Sequence, residues 1–329
     1  MASLTYSVKT RACATGLCIM AATVFAVDSA MAETGWPPQT IMMISDSAAG
    51  APKDILLRQM AKALQTQNPG WRIIVDDKVG GDGAAAMSYL LSQPANGATM
   101  LIQSASFEVS MNTSLASLFK VSQFNFVAQT DSGDFVLAVH PKLNVKTLAE
   151  LKEYAKAHKL SITGYGQNSM EHYAAALVAK SAGFEYSWVP YTSGTQAVTA
   201  VVGGNIDAVM VDASAASQFI KSGKLNGILV TAKDPVPIVP DVPTVASLGF
   251  PEDEIHLWHT ILVKDGTPPE IIKILENALK RMPESAEFSA YLKSASVEWD
   301  FMPGEEFGPK AKAEMAKIKD SLDMLKPKK

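Results

Sequence analysis

Cysteine is nearly missing from this 329-residue chain: the two present, Cys13 and Cys18, both fall before residue 33. Everything downstream lacks a thiol, which closes disulfide scaffolds, zinc–thiolate sites and cysteine nucleophiles. Arginine is scarce too, with only Arg58, Arg72 and Arg281 beyond residue 32. Lysine and arginine number 29 against 33 acids, a formal charge of −4. No cationic cluster of the sort that phosphate backbones require is present, so nucleic acid is not an expected partner. After residue 32 no apolar run approaches the roughly 20 residues that span a bilayer. Internal repeats and low-complexity tracts are also absent.

What is present begins with an export pattern. Lys9 and Arg11 precede an apolar run from Leu17 to Val27, and Ala30-Met31-Ala32 stands before Glu33. Positive, apolar and small residues in that order make a secretory signal, so cleavage is expected near Ala32 and the mature chain is expected in the periplasm, soluble and monomeric. Cys18 follows Thr15-Gly16-Leu17, without the small residue that a lipoprotein signal places before its cysteine, so no lipid anchor is expected. Loss of Lys9, Arg11 and Asp28 moves the formal charge to −5. The remainder is long for a single core and suggests two domains.

Short β-rich runs alternate with amphipathic ones, the pattern of α/β sheets covered by helices. Strands are expected at Ile41 to Ile44, Arg72 to Val75 and Thr99 to Gln103, with helices at Asp54 to Leu64 and Gly83 to Leu91 between them. Apolar strands at Phe135 to Val139 and Leu257 to Val263 bracket a middle block with its own βα repeats. A block inserted between two long strands gives two doubly wound lobes joined by two crossing strands. Lobe 1 is expected to hold 33–136 and 263–329, lobe 2 137–262. Ligands of open α/β sheets bind where strand ends meet helix starts, here the cleft between lobes.

The first strand runs into Ser45-Asp46-Ser47-Ala48-Ala49-Gly50-Ala51-Pro52-Lys53-Asp54. Small residues let a ligand approach the backbone, and the helix start offers free N–H groups to a carboxylate; an ordinary βα turn is the alternative. Gly80-Gly81-Asp82-Gly83 lacks the spacing of a nucleotide-binding loop and reads as a turn that opens a helix. Ser169 is expected to cap the helix that contains His172. Pairing them as nucleophile and base would need the G-x-S-x-G elbow, which is missing. His256 and His259 flank an apolar strand on opposite faces and read as structural.

Taken in order, these features resemble the periplasmic receptors of tripartite tricarboxylate transporters, the Bug-type receptors. The marks are Ala48-Ala49-Gly50 with Asp54, Gly80 with Gly83, Pro94-Ala95-Asn96-Gly97-Ala98-Thr99, Ser169 with His172, Val189-Pro190-Tyr191, Gly203-Gly204-Asn205-Ile206-Asp207, Lys221-Ser222-Gly223-Lys224-Leu225, Asp241-Val242-Pro243-Thr244 and Gly266-Thr267-Pro268. The resemblance spans the mature chain. It implies a two-lobed, periplasmic-binding-protein-like (Venus flytrap) fold, no enzymatic activity and no cofactor. The implied partners are a small organic acid and inner-membrane transporter subunits. First-lobe contacts would come from Ser47, Ala48, Gly50, Ala51, Lys53, Asp54, Ser104 and Ser106. Second-lobe contacts would come from Gln167, Asn168, Ser169, His172, Tyr191, Thr192, Ser193, Thr195, Asp212 and Ser214. Tyr191 reads equally well as a core aromatic.

The chain departs from this family where relatives carry proline and then an aromatic, at Asp46 and Ser47, and where they carry a second glycine, at Ala51. A carboxylate beside an expected anion site opposes binding unless Lys53 or the ligand supplies a counter-charge. That points to a larger acid, or one with a further donor or an aromatic group. Two rivals share the cleft residues: an α/β hydrolase-like enzyme using Ser169, His172 and Asp212, and a ligand-presenting partner of a membrane sensor.

Overall fold

The computed structural model describes residues 35–37, 39–250 and 255–322. The expected export signal with its cleavage site, and the lysine-rich end at 326–329, lie outside them.

The first lobe opens with strand β1 (Ile41–Ser45), helix α1 (Pro52–Gln67), β2 (Ile73–Asp77), α2 (Ala84–Ser92), β3 (Thr99–Ser104), the short α3 (Ser106–Asn112) and β4 (Phe124–Gly133). The second lobe is β5 (Phe135–Val139), α4 (Leu148–Ala157), β6 (Ser161–Tyr165), α5 (Met170–Ala182), β7 (Ser187–Tyr191), α6 (Gly194–Val202), β8 (Ala208–Asp212), α7 (Ala213–Lys221) and β9 (Asn226–Val230). The chain then returns through β10 (Leu257–Lys264), α8 (Pro269–Lys280), α9 (Ala286–Ala295), β11 (Glu298–Pro303) and α10 (Gly304–Ser321). Strand order is β11-β4-β10-β3-β1-β2 in one sheet and β7-β6-β8-β5-β9 in the other. β1 to β3 and β6 to β8 pair in parallel, whereas β10 and β5 run antiparallel to their neighbours. The fold is thus the expected two-lobed α/β type, with mixed sheets.

Periodicity explains the elements that the sequence reveals. β5 is Phe-Val-Leu-Ala-Val, buried along its whole length because strands flank it and helices cover both faces. In α8, Ile271, Ile274, Leu275, Ala278 and Leu279 form one buried stripe at helical spacing. Caps set the helix ends: Thr147 and Glu150 form a capping box on α4, and α5 stops at Gly183, whose φ of 74° suits glycine.

β4, like β11, is a strand that sequence reading missed. Its second half, Gln129-Thr130-Asp131-Ser132, looks like a loop, yet β10 and β11 hydrogen-bond to it on either side. The buried polar side chains are satisfied within the sheet: Gln129 Nε2 donates to Asp300 Oδ2 at 2.8 Å, and Thr130 Oγ1 to Asp131 Oδ1 at 2.6 Å. Only Asp134 separates β4 from β5, so the first crossing happens there. β10 pairs over all eight residues with β4, which puts the second crossing upstream of Leu257 rather than at 262/263.

The first lobe packs around aromatic rings. Phe107 meets Phe124 and Phe126 edge-on at 6.2 and 6.3 Å, and Phe307 of α10 meets Phe126 at 5.6 Å and Trp258 at 4.9 Å. Inside this packing Glu108 is 1% exposed, close to Glu314 and Lys310. Burial first, then the Glu314 charge, holds the Glu108 carboxyl well above its usual 4.5. The folded chain therefore keeps a proton that the unfolded chain has released, and stability falls as pH rises from about 4.5 through the raised value. Glu108→Gln should remove that fall. Its melting temperature is expected above the native one at pH 8 and not at pH 4; a pH-independent difference between the two would contradict this account.

Candidate functional site

The first wall of the cleft grows from the turn after β1. Pro52 occupies the first position of α1, and Asp54 Oδ2 accepts from Gly50 N at 2.7 Å while Oδ1 meets Arg58 Nε at 2.7 Å. Asp54 therefore holds its own turn together. Ser47 N donates to Ser45 Oγ at 3.0 Å. Asp46 turns inward and forms an ion pair with Lys53, the two side chains being 7% and 9% exposed. The contact is electrostatic, because Asp46 Oδ1 makes no hydrogen bond of regular angle. Gly83, at φ 97°, leaves room for this pair: a Cβ there would stand 3.0 Å from Asp46 Oδ2 and 3.5 Å from Gln103 Nε2. Gln103 is buried near the end of β3, and its Nε2 has no partner.

The second wall is the passage from β6 to α5. Ser169 Oγ accepts from His172 N at 3.1 Å, the N-cap that the sequence suggests. His172 is buried, with Nδ1 against Gln167 O and its ring stacked on Trp188 at 4.7 Å. Trp188 Nε1 in turn donates to Gly166 O at 2.8 Å. Burial lowers the pKa of His172, which favours a neutral ring that braces the loop from behind. The Ser169 hydroxyl is engaged with the backbone and with Glu171, so the nucleophile and base pairing does not form. Burial pushes Glu171 up to about 7, and its Oε2 has no hydrogen-bond partner.

The two walls close on a small cavity of about 10 Å³, room for roughly one water. Asp46, Lys53, Asp82, Gln103, Ser104, Ser106, Phe107 and Ser110 line it from the first lobe, and Tyr165, Gly166, Asn168 and Ser169 from the second. The lobes also touch directly. Met170 N donates to Ser106 Oγ at 3.1 Å, Ser110 Oγ to Asn168 O at 3.3 Å, and Asn168 Nδ2 to Asp82 Oδ2 at 3.4 Å. Each such bond contributes on the order of 1 kcal/mol. Ser106→Ala with Ser110→Ala should tip the lobes toward an open form, read as a larger radius of gyration in small-angle scattering. An unchanged scattering profile would mean that these bonds do not govern closure.

Of the residues singled out from sequence, Lys53, Ser104, Ser106, Asn168 and Ser169 converge on the cavity. Ser47, Ala48, Gly50, Ala51 and Asp54 form the turn beside it, and Gln167 and His172 stand behind the second wall. Tyr191 ends β7, and Thr192, Ser193 and Thr195 surround the start of α6, where Ser193 caps the helix through Gln196 N at 3.3 Å. Asp212 caps α7 through Ser214 N at 2.7 Å, and burial raises its pKa. Neither of these last two groups lines the cavity. Sequence reading missed Asp82, Gln103, Phe107, Ser110, Tyr165 and Gly166. Three of them, Gln103, Phe107 and Gly166, lie next to residues it chose. Ser110 follows Ser106 by four residues, hence on one helix face, but α3 itself went unrecognised.

His256 and His259 each face a different acid. His259 Nδ1 is 2.6 Å from Asp131 Oδ2, and His256 Nδ1 is 3.9 Å from Asp134 Oδ1. No group of three or more potential metal ligands exists among the described residues.

Residues 56–321 match the family described as "Tripartite tricarboxylate transporter family receptor". Protein BugT of Bordetella pertussis is 28% identical over 256 residues, covering 76% of this chain and 78% of its own. Among solved structures, MatC from Rhodopseudomonas palustris with bound malate superposes with a TM-score of 0.77 at 20% identity, over 88% of this chain and 100% of that one. A second R. palustris protein, solved with adipate, reaches 0.79 at 22% identity, over 88% and 98%. At these identities the solved structures establish the two-lobed fold. The family match covers most of the chain, and the chain belongs to the tripartite tricarboxylate transporter receptor family.

Proposed function

We propose that this chain is a periplasmic receptor that closes two lobes around one small organic acid and hands it to the membrane subunits of a tripartite tricarboxylate-type transporter. The observation that carries this reading is the cavity itself: polar side chains of both lobes meet across it, with hydrogen bonds running directly from lobe to lobe. A ligand seated there touches both walls and so favours the closed form, since it shifts the equilibrium by its differential affinity. Lys53 is the cation of the lining, and Gln103, Ser104 and Ser106 add polar groups. On the second lobe Asn168 and Ser169 stand at the start of α5, whose N-terminal dipole favours an anion. The malate held by MatC and the adipate with the other R. palustris protein are small carboxylic acids, which agrees with such a lining. The export pattern read in residues 1–32 fits a receptor that works outside the cytoplasm.

Thermal shift against di- and tricarboxylates, aromatic acids and amino acids tests the proposal. A saturable rise in melting temperature with the ligand recovered unchanged is expected. Turnover of any ligand would instead point to the hydrolase-like alternative.

A further inference from the structure

The Asp46–Lys53 pair departs from what capture of a plain anion needs. Both side chains are nine-tenths or more buried in the cavity wall, and each is the counter-charge of the other. A carboxylate that drew Lys53 to itself would leave Asp46 buried without a counter-charge. The rest of the surroundings make this worse: Asp82 shares the lining, and the charges of Glu171, Asp46 and Asp82 all bear on Tyr165. Lys53 faces these acids alone within the lining. An independent feature lies beside the pair. Gln103, 2% exposed, lines the same cavity with an unpartnered amide nitrogen, and that nitrogen and Asp46 Oδ2 both border the space that a Gly83 side chain would occupy.

Resting on the receptor reading above, we infer that the ligand is a zwitterion, a carboxylic acid carrying an ammonium group near its carboxylate, which opens the Asp46–Lys53 pair and exchanges partners with it. The ligand carboxylate takes Lys53 Nζ and Gln103 Nε2, and the ammonium takes the Asp46 carboxylate. Every buried charge then keeps a partner before and after binding, which a plain acid or a plain amine cannot achieve. The built-in pair stands in for the ligand until it arrives, so closure without ligand does not trap an isolated charge.

Calorimetric titration of matched probes tests this: succinate with aspartate, glutarate with glutamate, and the N-acetyl forms of both amino acids, which keep the carboxylates and lose the ammonium. On the native chain at least one amino acid should bind about tenfold or more tighter than its des-amino and N-acetyl counterparts. Asp46→Asn should collapse that ratio to near one, a change in selectivity that a merely structural role for Asp46 would not produce. If plain acids bind as well as or better than the amino acids, or if the ratio survives Asp46→Asn, the inference is overturned while the receptor reading stands. Binding of neither type, in these titrations and in the wider acid screen, removes both. Should Asp46→Asn fail to fold, the native comparison of amino acid with N-acetyl form decides alone.

Discussion

Gly304→Ala should lower stability by more than about 3 kcal/mol, beyond the usual range for overpacking. Gly304 begins α10 directly over β4, and an added Cβ would lie 1.9 Å from Phe126 O, 2.6 Å from Phe126 C and 2.9 Å from Val127 O. These are backbone atoms, and β4 is held between β10 and β11, so it cannot swing away as a side-chain tip would. Relief would require lifting the helix, which carries the buried Phe307, Ala311, Met315 and Ile318. Gly308→Ala on the same helix is the internal control. Its Cβ would meet the Phe126 ring at 3.3 Å, a side chain that can yield, and the loss should be much smaller. Denaturant melts of the two variants check the ranking. Equal losses would mean that the start of α10 is freer to shift than its contacts imply.

Lys53→Met is expected to produce the second large effect. It leaves the Asp46 carboxylate buried without its counter-charge, a situation that costs roughly 3–5 kcal/mol. The double change Asp46→Asn with Lys53→Met removes both charges and should recover most of the loss. A mutant cycle on melting free energies isolates the coupling between the two positions. Strict additivity of the single changes would show that the pair contributes nothing to the fold. The outcome also bears on ligand choice, because a strongly coupled pair is one that only a ligand with both charges can open without penalty.

The parts of this fold legible in the sequence are those in which a local rule acts alone. Ile41 to Ser45, Phe135 to Val139 and the stripe in α8 show their periods because each has a plain apolar face or is apolar throughout. Ser169 reads as a cap because a serine at a helix start has a local job to do. β4 did not read as a strand, since its polar half is stabilised by neighbours more than a hundred residues away, among them Asp300 and His259. α3 is too short to show a period. In the cleft, Lys53, Ser104, Ser106, Asn168 and Ser169 were found through their places at strand and helix ends. Gln103, Tyr165 and Asp82 enter the site through packing partners that no spacing rule reveals.

Sequence alone determined the chemistry available to this protein: no thiol after residue 18, three arginines beyond residue 32, an acidic balance, and an Asp46 in the turn after the first strand. Those facts hold whatever the chain's conformation, because they are counts and identities. Only the tertiary structure decided where that chemistry meets. It turned Asp46 inward onto Lys53, withdrew His172 behind Trp188, and brought the starts of α1 and α5 to one cavity. The physical reason is that charge pairing and burial depend on distances between segments set by the two sheets, and the Gly83 backbone that makes room for the pair lies about thirty residues along the chain from Lys53.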